Sequence, residues 1–198
     1  MKIYLIDQKN KFKKHLDFLK SKMVMKYDKK LLEEKTSTID INSKKKIEEL
    51  NVDFLFDYQI FPDNIMSFKT QWSDEKRKME IGDTIAQQVF LPPSKNFSQK
   101  IVFGVRINGI INQTDKKGFS YETLEGHVEK GVSTFTIEQI GDRLVFKIQT
   151  FSSAGNILTK LLAPIFSIPY QTYCTKMALK NVKRQLEEKN ISQTIRNH

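Results

Sequence analysis

The stretch GFSYETLEGHVEKG (residues 118–131) decides the fold of this chain of 198 residues, because it joins two strand patterns. On both sides of it, apolar and polar residues alternate with a period of two, as in half-buried strands. The stretch also holds three glycines, His127 and two carboxylates that flank this histidine, Glu125 and Glu129. Short connections between consecutive strands predict an antiparallel meander.

Five strands are predicted for the middle of the chain. They cover residues 79–91, 101–111, 118–125, 132–140 and 143–151. The Gly141-Asp142 pair between the last two strands is short enough for a tight hairpin.

A long helix is predicted near the C-terminus, over residues 156–189, with Pro164 and Pro169 interrupting its first part. Its apolar stripe has helical spacing. The stripe consists of Tyr170, Tyr173, Cys174, Met177, Ala178, Val182 and Leu186.

The first third of the chain gives weaker signals. Residues 1–6 fit a short strand, and residues 8–22 have apolar side chains at helical spacing. Residues 26–51 are polar and lysine-rich, with a short helix predicted after Ser43. The run VDFLFDYQIF (residues 52–61) fits a strand, and Asp63 is a good N-cap for a helix that reaches Trp72.

This order of elements predicts an α+β fold in which a curved antiparallel sheet packs against a long C-terminal α-helix. By analogy, it is the helix-grip arrangement of the START-like (Bet-v-type) superfamily. The predicted organisation is a partly helical N-terminal extension (residues 1–51), a helix-grip domain (52–189) and a flexible tail (190–198).

The stretch around His127 resembles the hallmark of domain-of-unknown-function family nineteen-ninety, a widespread bacterial and plant family. The similarity covers roughly residues 55–188 and implies a helix-grip fold with no established reaction. The matching residues of the hallmark are Gly118, Phe119, Tyr121, Thr123, Leu124, Gly126, His127, Glu129, Gly131 and Phe135.

Bulk composition excludes several classes of protein. A single cysteine, Cys174, rules out an internal disulfide and a multi-cysteine metal cluster. No apolar run is long enough for a transmembrane segment, and no signal peptide is recognisable, so a cytoplasmic location is expected. The net charge is +10, but lysines outnumber arginines 28 to 5, and arginine does most of the reading of base edges. No specific nucleic acid partner is expected.

His127 is the candidate general acid or base. If the strand pattern continues to Glu129, the two side chains point to one side, and the carboxylate would raise the pKa of the imidazole. Tyr121 shares that parity. The alternative is a structural histidine in a turn, which forms hydrogen bonds to nearby backbone.

The leading function hypothesis is a binding module for a small apolar or amphipathic ligand, held between the sheet and the C-terminal helix. The alternative is a small hydrolase- or cyclase-like enzyme that uses His127 with Glu129 or Tyr121. No cofactor and no metal site are predicted. The expected ligand-binding residues are Phe103, Arg106, Thr123, Phe135, Phe146, Tyr173 and Met177.

Overall fold

The computed structural model describes residues 2–93, 98–154 and 168–196, which form an α+β fold around one eight-stranded sheet. The strands are β1 (Lys2–Tyr4), β2 (Glu33–Ile41), β3 (Met66–Thr70), β4 (Thr84–Leu91), β5 (Gln99–Asn112), β6 (Lys116–Thr123), β7 (Glu129–Ile140) and β8 (Arg143–Ala154). The α-helices are α1 (Phe12–Lys20), α2 (Asp53–Phe56), α3 (Gln71–Asp74) and α4 (Ile168–Arg196).

Every strand pairs antiparallel to its neighbours, in the order β2-β8-β7-β6-β5-β4-β3. The predicted meander is therefore confirmed for β4 to β8. Gly141 has a φ of 59° in the turn between β7 and β8, a conformation that glycine adopts at little cost. β1 pairs with the first part of β5, with Lys2 opposite Val102.

The main core lies on one side of the sheet, which we call the inner face. Side chains of alternate residues point to this face, among them Ile85, Val105, Phe119, Phe135 and Phe146, all of which are buried. Residues 47–72 and α4 cover them. Burial of such side chains stabilises a fold by about 1.5–3 kcal/mol each relative to exposure, so this layer holds most of the apolar stabilisation.

The opposite side, which we call the outer face, is partly covered by α1. Leu16 and Leu19 of this helix pack on Ala86 and Leu124. Gly104 makes the close approach possible, because a Cβ atom there would lie 3.0 Å from the Leu19 side chain.

Helix α4 crosses the inner face obliquely. Near its beginning, the Tyr170 hydroxyl donates a hydrogen bond to the backbone oxygen of Phe90 in β4. Further along, Lys183 donates to the backbone oxygen of Asp40 in β2. None of the described helices is long and apolar enough to cross a bilayer.

The predicted stripe of α4 is partly confirmed. Ala178, Val182 and Leu186 are buried, and so is Leu179, which the prediction omitted. Tyr173 is 40% exposed and does not belong to the buried face. The predicted segment 156–167, with Pro164, lies outside the described residues, and the helix continues past the predicted end at 189 to Arg196.

Two predictions between residues 52 and 72 are wrong. The run VDFLFDYQIF contains the short helix α2 instead of a strand. The predicted helix after Asp63 is replaced by strand β3, which pairs with β4, and by the short helix α3. Thr70, not Asp63, caps that helix, since its side chain accepts a hydrogen bond from the backbone of Ser73.

The N-terminal 51 residues contain the predicted strand and helix as β1 and α1, and one strand that was not predicted. β2 pairs with β8 along nine residues and forms one edge of the sheet. The alternation of apolar and polar residues is weak in β2, because Ile39 and Ile41 are the only large apolar residues of its sequence EEKTSTIDI.

Candidate functional site

A cleft lies between α4 and the inner face of β2, β7 and β8. Its volume is about 330 Å³, within the usual range for small-ligand sites. The wall on the helix includes Gln171, Thr172, Thr175, Lys176 and Leu179. The wall on the sheet includes Lys35, Ser37, Glu129, Ser133, Ile148, Thr150 and Ser152.

Strand register brings together a row of polar side chains that runs from the floor of the cleft to the main core. Lys35 of β2 is opposite Thr150 of β8, Thr150 is opposite Ser133 of β7, and Ser133 is opposite Tyr121 of β6. We call these four residues the polar row. The hydroxyl oxygens of Ser133 and Thr150 are 3.2 Å apart. Directly opposed side chains in a sheet are close enough to interact, so the row forms one continuous polar surface.

The polar row continues inward through two tyrosines. Tyr121 interacts with Ser133 and with Tyr58, which is fully buried. Gln87 donates a hydrogen bond of 2.5 Å to the Tyr58 hydroxyl. Burial raises the pKa of both tyrosines, so both hydroxyls stay protonated near neutral pH and the network carries no charge.

An aromatic cluster packs around the two tyrosines. The rings of Tyr121 and Phe119 each lie 5.4 Å from that of Phe135, and the ring of Phe68 lies 5.1 Å from Tyr58. This aromatic cluster therefore belongs to the main core behind the polar row.

Charges at the cleft are asymmetric. Glu129 is the acidic lining residue, and Gln171 of α4 donates a hydrogen bond to its carboxylate. Burial raises the pKa of Glu129, which favours the neutral acid. Lys35 and Lys176 also line the cleft, so the field inside it favours a negatively charged group.

His127 does not meet the carboxylate of Glu129, so the predicted carboxylate–imidazole contact is wrong. Its Nδ1 atom lies 3.0 Å from the backbone nitrogen of Glu129, which donates to it. Its ring packs edge-on against Phe103 with centroids 4.2 Å apart. Burial lowers the pKa of His127 to about 4, the opposite of the expected shift. The alternative interpretation, a structural histidine bonded to nearby backbone, describes this geometry.

The predicted catalytic residues do not converge. The Glu129 carboxylate contacts Gln171, the imidazole contacts backbone, and Tyr121 belongs to the polar row. Cys174 offers no substitute nucleophile, because burial raises the pKa of its thiol to about 11.

Most of the predicted ligand-binding residues lie away from the cleft. Phe135 and Phe146 are buried core residues with at most 1% exposure. Phe103 packs on His127. Met177 packs against the main core, and Tyr173 is exposed. Of the ten predicted site residues, Glu129 alone lines the cleft in the described part of the chain.

The other two predicted ligand-binding residues have structural contacts. The Thr123 hydroxyl accepts a hydrogen bond of 3.1 Å from the backbone of Gly131 and so ties β6 to β7. Arg106 lies on the outer face, opposite to the cleft, and donates to the backbone oxygen of Lys20 at the end of α1. A cation at a helix C-terminus interacts favourably with the helix dipole.

Asp83 carries a buried charge just before β4, and its partner is Arg77. The guanidinium donates two hydrogen bonds to the carboxylate, of 2.8 and 2.5 Å. Arg106 does not take part in this pair, because its guanidinium donates to the end of α1. The paired charge supports the turn that leads into β4 and takes no part in the cleft.

Sequence reasoning missed the hydroxyl residues of the cleft. Ser133 has the same parity as Phe135, and Thr150 has the same parity as Ile148, so the alternation that located the core also placed both on the inner face. Among the described residues, no three His, Cys, Asp or Glu side chains come together as metal ligands.

Comparison with solved structures shows similarity in fold. The hypothetical protein jhp0584 from Helicobacter pylori superposes with a TM-score of 0.56 at 13% identity, over 83% of this chain and 96% of that one. A protein from Arthrobacter aurescens gives a TM-score of 0.50 at 14% identity, over 84% of this chain and 91% of that one.

Among curated proteins, no sequence matches significantly. A family model described as Domain of unknown function (DUF1990) matches residues 43–181, which include β3 to β8, the hallmark stretch around His127 and the first half of α4. Since this match spans more than half of the chain, the protein belongs to that family.

Proposed function

We propose that this chain is a binding module for a small amphipathic ligand that occupies the cleft between α4 and the sheet. The observation that carries the proposal is that three members of the polar row, Lys35, Ser133 and Thr150, line a cleft of about 330 Å³. The order of elements and the oblique path of α4 over the inner face also support the helix-grip arrangement of START-like proteins.

The lining residues indicate which of them contact the polar head group of a ligand and which contact its apolar part. Hydroxyl groups of Ser133 and Thr150 can donate to and accept from a polar head group, and Lys35 and Lys176 favour a negative charge on it. Ile148 and Leu179 supply apolar contact. A wholly apolar ligand would strip water from the hydroxyls without replacing its hydrogen bonds, at a cost of about 1–3 kcal/mol per group.

In the described part of the chain, the contacts of His127 do not favour the enzyme hypothesis. The imidazole of His127 is engaged with backbone and stays neutral near neutral pH. Its expected partners, Glu129 and Tyr121, each contact other side chains.

A matched pair of variants tests the proposal. Ser37 of β2 lines the cleft, whereas its neighbour Thr36 is exposed on the outer face. Ser37→Trp fills the cleft, and Thr36→Trp adds the same side chain to the same strand outside it. We expect fatty acids and related small amphipathic acids to raise the melting temperature of the wild type and of Thr36→Trp, but not of Ser37→Trp. Equal shifts in both variants would place binding elsewhere.

A further inference from the structure

The first 31 residues carry most of the positive charge of the chain. They contain ten lysines, three aspartates and no arginine or glutamate, a net charge of +7 out of +10. In the described part of the chain, two of these lysines form ion pairs, Lys13 with Asp74 and Lys20 with Glu75. Of the other eight lysines, seven are exposed to solvent and Lys22 is half-buried.

The same segment exposes large apolar side chains. Ten such side chains are exposed in the described ranges, and six of them belong to residues 3–31: Ile3, Leu5, Ile6, Phe18, Met23 and Leu31. Leu5 is 79% exposed and Ile6 is 68% exposed, in the loop between β1 and α1. Clustered exposure of this kind marks a surface that meets a partner.

Lysines and apolar side chains are neighbours on this surface. The Phe18 ring of α1 has the Nζ atom of Lys2 at 4.8 Å and that of Lys22 at 5.1 Å from its centroid. The backbone oxygen of Met23 accepts a hydrogen bond from Glu125, just beyond the end of β6. β1 and β6 pair with successive parts of β5, so that β1 begins near the point where β6 ends. Lys2 and Met23 therefore come close to the same end of α1.

A recess of about 240 Å³ lies beside the Phe18 ring. Its lining includes Lys2, His15, Phe18 and Lys22, with Glu125 as an acidic lining residue. Burial lowers the pKa of His15, and the charges of Lys2, Lys11 and Lys14 lower it further. The recess is therefore a region of positive potential beside exposed apolar groups.

We propose that this surface docks on an anionic lipid membrane. We call it the N-terminal surface and define it by Lys2, Leu5, Ile6, Phe18, Lys22 and Met23. Lysines near a negatively charged bilayer are each attracted to its surface. Exposed Leu, Ile and Phe side chains add attraction by burial at the boundary between head groups and acyl chains.

The chemistry favours a membrane over a nucleic acid. All ten cations are lysines, whose flexible stems and compact charges suit a fluid layer of head groups, whereas reading of bases relies mainly on arginine. A nucleic acid also gives no partner to Leu5 and Ile6. Residues 2–31 precede the family match at 43–181, and no residue of the N-terminal surface lines the cleft, so this proposal does not rest on the proposed function.

Vesicle flotation of the full chain tests the proposal. We expect binding to vesicles of phosphatidylcholine and phosphatidylglycerol, little binding to phosphatidylcholine alone, and release when salt rises from about 0.1 M to about 1 M. The double variant Leu5→Ser, Ile6→Ser weakens binding about tenfold, and so does Lys2→Gln, Lys22→Gln. Matched controls with the same changes elsewhere, Ile81→Ser with Ile140→Ser and Lys44→Gln with Lys46→Gln, bind like the wild type.

Two results would overturn the proposal. One is failure to float with anionic vesicles at low salt. The other is a pair of observations: the variant Leu5→Ser, Ile6→Ser binds vesicles like the wild type, and duplex DNA competes the binding away. That result would assign the lysines to a nucleic acid. Circular dichroism of each variant confirms that the comparison is made between folded proteins.

Discussion

Gln171 of α4 donates a hydrogen bond to the carboxylate of Glu129 at the start of β7, and this contact joins the helix to the sheet at the wall of the cleft. Glu129 is also the candidate residue that sequence and structure share. Its surroundings determine how the stability of the protein responds to pH.

Glu129→Gln has a free energy of unfolding that rises, relative to that of the wild type, as the pH increases from acidic to neutral. Burial raises the pKa of Glu129 in the folded state, so the wild type loses stability as pH rises through that pKa. Glutamine has no such titration and keeps an acceptor for Gln171. Urea unfolding over a pH series measures the difference in free energy. Glu125→Gln, the same change at an exposed position, is the control. A difference between Glu129→Gln and wild type that does not vary with pH contradicts this account.

His127→Asn reduces the loss of stability in mild acid. The folded-state pKa of about 4 lies below the ordinary value of 6.5, so the unfolded chain binds the proton more readily between these values. The contribution of the neutral imidazole is complete above about pH 6.5 and falls as pH drops toward 4, by about 3 kcal/mol in total. Asparagine keeps an acceptor near Nδ1 but does not titrate. Unfolding free energies of both proteins between pH 4 and 7 give the comparison, and parallel curves would show that His127 is not buried as described.

Gly131→Ala destabilises the fold more than Gly141→Ala. Gly131 has a φ of 149°, and a Cβ there would lie 1.9 Å from the backbone oxygen of Phe151 in β8. Gly141 has a φ of 59° with nothing within 4 Å of its Cβ position. We expect losses of roughly 3 kcal/mol for Gly131→Ala and about 1 kcal/mol for Gly141→Ala. Chemical denaturation ranks the two, and equal losses would mean that β7 and β8 are further apart at Gly131.

Arg106→Gln loosens α1 and leaves ligand binding intact. The guanidinium donates a hydrogen bond to the carbonyl of Lys20, the last residue of α1, and also contacts Thr84. We expect the variant to lose about 1–3 kcal/mol of unfolding free energy. Arg143→Gln removes an exposed ion pair with Asp40 and costs at most about 1 kcal/mol. Hydrogen exchange of the α1 amides detects the loosening. If Arg106→Gln instead lowers ligand affinity without faster exchange in α1, its position on the outer face is wrong.

The sequence predicted the strands that alternate clearly and failed where two patterns fit equally well. Ile65, Phe68 and Trp72 have the spacing of a helix, yet residues 66–70 form β3 because pairing with β4 satisfies their backbone groups. The apolar run at Phe54 and Leu55 predicts a strand but forms α2, because such a run does not by itself distinguish a strand from a buried helix.

The lining of the cleft differs from the one that the sequence predicts. A space between the sheet and the C-terminal helix was expected, and the cleft lies there. Aromatic residues such as Phe135 and Phe146 were expected to line it, but they fill the core instead. Serine and threonine in a strand do not by themselves indicate a binding site. The wall formed by Lys35 and Ser37 depends on the pairing of β2 with β8, which are distant in the sequence.

Native mass spectrometry of the purified protein tests the cleft most directly. We expect the wild type and Thr36→Trp to retain a small amphipathic molecule, from the expression host or from added fatty acids, that denaturation releases, and Ser37→Trp to retain much less. A wild type that shows only the mass of the bare chain, both as purified and after addition of these acids, would contradict the proposal that the polar row receives a ligand.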